Sequence, residues 1–181
     1  MNSALKSLGT YQLSFKVSAA GEMEPMEGSC IVSGNSYNIS MTTGELFGDD
    51  KNACNVNPAM KTVTLTKVDP RDRSLLSNPA RAFELLDGSF THRYLGQAKI
   101  NGKECDKIEL TPIDNTLPIR KMTLYIAVSG SLPVALRYAI DGLDSPVAID
   151  IKTLRQLSGV DRSKFTFDKK RYRDYEIIDL R

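Results

Sequence analysis

Histidine occurs once in this chain, as His92, and tryptophan does not occur at all. With a single imidazole, no Ser-His-Asp or Cys-His arrangement is available. His92 shares strand parity with Phe90 and Tyr94 and reads as a structural residue rather than a general base. Cysteine is scarce too. Cys30, Cys54 and Cys105 are far apart and no C-x-x-C occurs, which argues against a Cys/His zinc site. An odd number of thiols excludes full pairing within the chain. One disulfide with a free thiol, or three buried thiols packed as small hydrophobes, both fit, so the redox compartment stays open.

Charge of one sign is not in excess either. The 24 basic and 22 acidic residues leave a formal charge of +2, which gives no argument for nucleic acid or for strong attraction to anionic lipid. Lys169-Lys170-Arg171 is a short solvated run. No apolar run approaches the roughly 18–20 residues of a membrane span, so an integral membrane protein is not expected. The first residues lack a secretory h-region, which fits a cytosolic protein or an exported domain without its leader. Gly-x-Gly-x-x-Gly and P-loop patterns are missing. The carboxylates at Asp49-Asp50, Asp69 to Asp72 and Asp141 to Asp144 lack the six-ligand spacing of a calcium hand and read as turn formers. Neither a catalytic set, nor a metal, nor a cofactor is expected.

What the chain does have is alternation. Tyr11, Leu13, Phe15 and Val17 are separated by polar residues. Met122, Leu124, Ile126 and Val128 form a second such row, Val134, Leu136, Tyr138 and Ile140 a third, and Val147, Ile149 and Ile151 a fourth. Period two means antiparallel strands with one apolar and one wet face. Strands are expected at 10–18, 28–33, 36–43, 44–48, 52–56, 61–68, 90–97, 103–111, 120–128, 132–141 and 146–154, with Phe165 to Asp168 as a further short strand and Tyr172 to Arg181 as an ordered tail. Gly34-Asn35 and Asn101-Gly102 are hairpin turns. Leu5 and Leu8 belong to a short helix ended by Gly9. Asn78, Pro79 and Gly88 bracket the clearest helix, with Asn78 as cap and Pro79 at its first position.

No repeat, linker or low-complexity tract divides the chain, so residues 1–181 are expected to form a single domain. The fold expected is mainly β (α+β): one strongly curved antiparallel sheet of about ten or eleven strands, curled into an incomplete β-barrel. Short helices cover its concave face.

Several segments, in order, resemble the LolA-like periplasmic lipoprotein carriers, in particular the branch found in Bacteroidetes. These are the strand Tyr11-Gln12-Leu13-Ser14-Phe15-Lys16, Gly28, the Gly34-Asn35-Ser36-Tyr37 hairpin, and Asn78-Pro79 leading to Leu85-Leu86. Ile108-Glu109-Leu110-Thr111-Pro112 and the finish from Phe165 to Arg181 complete the set. The resemblance implies a non-enzymatic periplasmic carrier that holds the acyl chains of lipoproteins in transit to the outer membrane. It implies partners in an inner-membrane release complex and an outer-membrane acceptor, and a monomer. Two departures stand out: Asn38 occupies the position where the better-known branch has an Arg that tethers the lid helices, and Trp is absent.

On this reading Phe15, Val17, Ile39, Met41, Leu65, Leu124, Ile126, Leu136 and Tyr138 face an apolar cavity. Leu76, Phe83 and Leu86 plug it from the helix. Met23 and Met26 form a rim or pack within the first loop. A structural or interaction module of the cell envelope, binding through an open sheet edge, is the alternative, as is a carrier of fatty acids or glycolipids.

Overall fold

The computed structural model describes residues 2–19, 23–68, 90–113, 119–140, 142 and 145–181. The helix expected after Asn78, with Leu76, Phe83 and Leu86, lies outside them. A short helix α1 (Asn2–Leu8) precedes β1 (Thr10–Ala19), β2 (Met23–Ser33), β3 (Ser36–Met41), β4 (Gly44–Gly48), β5 (Asn52–Asn57) and β6 (Thr62–Lys67). Then come β7 (Phe90–Ile100), β8 (Lys103–Pro112), β9 (Ile119–Ala127), β10 (Pro133–Ile140), β11 (Val147–Gln156) and β12 (Glu176–Asp179). The fold is mainly β: the twelve strands hydrogen-bond in the order β12-β6-β5-β4-β3-β2-β1-β11-β10-β9-β8-β7, an open sheet with β12 and β7 at its edges.

Three elements differ from expectation. β2 starts at Met23, so residues expected in a loop are extended. β3 accompanies β2 only from Gly28 onward, and in the unaccompanied stretch Pro25 is tolerated despite its missing N–H. Residues 165–168 are not a strand. They lie between two 3₁₀ turns, Arg162–Phe165 and Lys169–Tyr172, and the carboxylates of Asp161 and Asp168 accept from Ser163 N and Lys170 N at 2.9 Å each. Those caps favour a turn over extended chain. The tail after them supplies β12, which runs parallel to β6 and brings the strands among the described residues to twelve.

Contacts cluster into two units. One holds Met1–Leu8, Ser14–Glu27 and Phe83–Leu154; the other holds Gly9–Leu13, Gly28–Ala82 and Arg155–Arg181.

In the second unit, pairing aligns Asn38, Phe47, Cys54 and Leu65 in one row across β3 to β6, with Glu45, Val56, Val63 and Ile177 in the row beside it. This face is covered by the C-terminal segment. Tyr172 stacks on Phe47 (ring centroids 6.5 Å apart) and on Phe167 (5.8 Å), and Tyr175 meets it edge-on at 5.6 Å. Glu45 fastens the cover: it accepts from Asn38 Nδ2 (2.8 Å), Arg171 Nη2 (2.9 Å) and the Tyr172 hydroxyl (3.2 Å). Asn38 Nδ2 also donates to the Lys164 carbonyl at 2.8 Å. Burial, and after it the Glu45 charge, pushes the Tyr172 phenol above its ordinary value, so it stays a neutral donor. Gly48 allows β4 to lie close to β5, because a Cβ there would drive into the Asn52 carbonyl.

The cysteines are three buried free thiols. Burial pushes Cys30 and Cys54 up to about 12, so both are un-ionised packing groups.

Replacing Tyr172 by Ala removes the centre of this cover and is expected to cost about 3–5 kcal/mol in urea denaturation. Tyr172→Phe keeps the stack and loses only the bond to Glu45, for about 1–2 kcal/mol.

Candidate functional site

The first unit carries the longest apolar rows. Pairing aligns Val147, Tyr138, Met122, Leu110 and His92 across β11, β10, β9, β8 and β7. The adjacent row is Ile149, Leu136, Leu124, Ile108 and Tyr94. Ten side chains thus share one face, eight of them from β8 to β11 and apolar in body. Leu110 and Met122 are fully buried, and Leu124, Leu136 and Val147 nearly so; Ile108, Tyr138 and Ile149 are half-buried. Toward the edge the same rows come out into solvent: His92 is exposed and Tyr94 is 60% exposed. At the strand ends the face turns polar, where Asp106 Oδ1 accepts from the Tyr94 hydroxyl (3.3 Å) and Gln97 Nε2 (3.4 Å). Burial raises the pKa of Tyr138, which keeps the middle of the face uncharged.

The opposite face of the same strands carries the ions. Arg93, Glu109, Thr123, Arg137 and Ala148 align there. Glu109 is nearly buried. It pairs with Lys121 and accepts from Arg93 Nη2 at 2.7 Å. Lys121, and after it Arg93, hold its carboxyl below the usual value against the desolvation that opposes them. Arg137 Nη2 meets Asp150 Oδ1 at 2.6 Å, and its Nη1 donates to the Leu136 and Ile149 carbonyls at 3.0 Å each. That guanidinium ties β10 to β11 from the polar side while Leu136 and Ile149 pack on the other.

The expected cavity residues distribute unevenly. Leu124, Ile126, Leu136 and Tyr138 share the apolar face of this unit. Phe15 and Val17 are half-buried on β1. Ile39 is buried and Met41 half-buried in the other unit. Leu65 does not join them: Ile39 pairs through Leu46 and Asn55 to Thr64, so Leu65 points the other way, into the Phe47–Tyr172 cluster. Met26 is half-buried in β2 rather than in a loop. Asn38 faces the C-terminal segment, so its amide tethers that segment. Ile108, Leu110, Met122, Val147 and Ile149 lie on the same face without being among the expected cavity residues, although Met122, Val147 and Ile149 belong to the alternating rows read from the sequence.

The chemistry available on this face is burial. No three His, Cys, Asp or Glu residues gather into a metal-holding group among the described residues. No described helix is long and apolar enough to cross a membrane.

Solved structures of similar shape exist. An uncharacterized conserved protein from Thermus thermophilus superposes with a TM-score of 0.66 at 8% identity, over 98% of each chain. The Pseudomonas aeruginosa MucA/MucB complex gives 0.51 at 13% identity, over 93% of this chain and 61% of that one. A LolA superfamily protein from Nitrosomonas europaea gives 0.45 at 12% identity, over 92% and 97%. The likeness is one of fold. No family model matches the chain, and no curated protein does.

Glu109 supplies a test of the polar face. Its folded pKa lies below its unfolded one, near 4.3, so its contribution to stability is present above that value and is lost as pH falls through the folded pKa. Urea midpoints measured from pH 7 down to pH 3 are expected to fall less steeply for Glu109→Gln than for the parent. The variant should start from a lower midpoint at pH 7.

Proposed function

We propose that this chain is a non-catalytic carrier of acyl chains, with the apolar face of β8 to β11 as the surface that holds them. The observation that carries the reading is the pair of cross-strand rows running from Val147 and Ile149 through Leu136, Leu124 and Met122 to Ile108. Such a surface binds by removing methylenes from water, at about 0.8 kcal/mol for each CH₂ buried, and needs no polar match to one cargo. The resemblance of the strand and hairpin motifs to LolA-like carriers supports the same reading. It extends it to lipid-modified proteins as cargo, to the periplasm as location, to an inner-membrane release complex and an outer-membrane acceptor as partners, and to the Bacteroidetes-type branch. Fatty acids and glycolipids suit the same surface.

A second reading has its own support. β7 is an 11-residue edge strand whose Tyr94 and Leu95 are exposed, and a solved structure of similar fold, MucB, is in complex with another protein, MucA. Strand addition along β7 by a cell-envelope protein would use that edge.

Displacement of a fluorescent fatty-acid probe, checked by native mass spectrometry, separates the two. The carrier reading expects uptake of palmitoyl chains, with affinity falling about tenfold for every two methylenes removed. Tyr138→Arg, at the half-buried part of the row, should weaken uptake at least tenfold with an unchanged circular dichroism spectrum. Failure to take up any lipid or long-chain detergent would exclude a carrier.

A further inference from the structure

A cleft of about 520 Å³ opens at the strand ends of the first unit, lined by the β8 start, the β9–β10 turn and the last part of β11. Its volume falls within the range of small-molecule sites, roughly 300–1,000 Å³. Ala127 and Val134 form its floor, packed with Cys105, and both are buried. Ala127 and Cys105 are paired neighbours on the face opposite Ile126 and Leu124, and the register shift between Pro133 and Ala135 brings Val134, which alternation alone would set beside Leu136, into their cluster. The β7–β8 hairpin closes one side. Asn101 and Gly102, both at positive φ (51° and 79°), turn the chain so that Ile100 packs on the floor and Asn101 Nδ2 comes within 3.5 Å of Asp150 Oδ1. On the other side Leu132 and Leu154 are half-buried and Val128 remains 49% exposed at the mouth.

The rim is basic. Lys103 and Lys152 line the cleft from β8 and β11, and among the described residues neither has an ion-pair partner. Glu104 is the one acidic residue of the lining, and as the neighbour of Lys103 on β8 it projects to the other side of the strand. Asp150, two residues before Lys152, is already engaged by Arg137. Lys152 is therefore an uncompensated charge beside an apolar floor, and an ammonium so placed favours an anion with an attached apolar body.

We propose that this cleft binds a small anionic amphiphile, its chain on Val134, Leu132 and Leu154 and its carboxylate or phosphate head at Lys152. The site is separate from the carrier surface and does not depend on that reading. Three twelve-carbon probes test it: dodecanoate, dodecyl phosphate and the uncharged monododecanoyl glycerol, titrated into the full chain and followed by backbone amide NMR.

Dodecanoate or dodecyl phosphate should shift Val128, Leu132, Val134 and Leu154 at low concentration, with the glycerol ester at least tenfold weaker. The tighter of the two anions identifies the head. Lys152→Glu is expected to weaken the anions at least tenfold and to leave the glycerol ester within twofold. Val128→Asp, at the exposed mouth, should weaken all three. Tyr138→Arg, which disables the carrier surface, should leave these shifts intact. Equal binding of the charged and uncharged probes, shifts confined to Leu124 and Leu136, or anion binding unchanged in Lys152→Glu would each overturn the proposal.

Discussion

A side chain on a pleated strand is committed to one of two faces, and pairing passes that commitment to the next strand without loss. The molecule depends on this constraint. From β7 to β11 it places Leu110, Met122, Leu124 and Leu136 on one side and Arg93, Glu109 and Arg137 on the other. A one-residue slip would bring Glu109 and Arg137 into the apolar layer and expose the leucines. Two devices hold the register: the Arg137 guanidinium bridging the β10 and β11 backbones, and the left-handed Asn101-Gly102 turn that fixes β8 against β7. The ion pairs are modest contributors to stability, since Arg93 and Lys121 are more than half exposed. Their larger effect is to make the wrong register costly.

The second unit meets the same constraint differently. In β3 three successive residues, Tyr37, Asn38 and Ile39, are buried, so both faces of the sheet are covered there. The C-terminal segment supplies one cover with an aromatic stack and a single carboxylate, Glu45, that gathers three donors. A carboxylate with several charge-assisted bonds orients a segment better than isolated pairs do. Asn38 shares in this through both of its bonds. A guanidinium at that position would bring a charge and more bulk to a site already filled by Glu45 and the Lys164 carbonyl.

The strands and their apolar faces were legible because alternation is a local property, and nearly every strand from β1 to β11 follows it. The partition between faces across strands was not. Leu65 alternates correctly within β6, yet its side relative to Ile39 depends on the pairings of two intervening strands, which no single strand displays. Phe165 and Phe167 mimic strand spacing, but Asp161 and Asp168 capture the amides two residues on and wind the chain into 3₁₀ turns. β12 is not legible because Ile177 and Ile178 are adjacent rather than alternating, and because a parallel partner 114 positions away has no turn signal. The cleft beside Val134 arises from a hairpin folding back over its own sheet, a long-range event to which Asn101-Gly102 contributes only the turn.

The tether between Glu45 and Arg171 spans 126 residues of chain, and this has a temporal consequence. The first unit's largest segment, Phe83–Leu154, is contiguous and built from neighbouring hairpins, so its contacts close over short loops and form early. The Phe47, Cys54, Val63 and Leu65 surface must wait for the segment around Arg171, which is synthesised 126 residues after Glu45. Until then it is an uncovered apolar sheet face, open to self-association or to a holding chaperone. The segment that follows β11 thus withdraws this face from aggregation, and its arrival sets the pace at which the second unit becomes native.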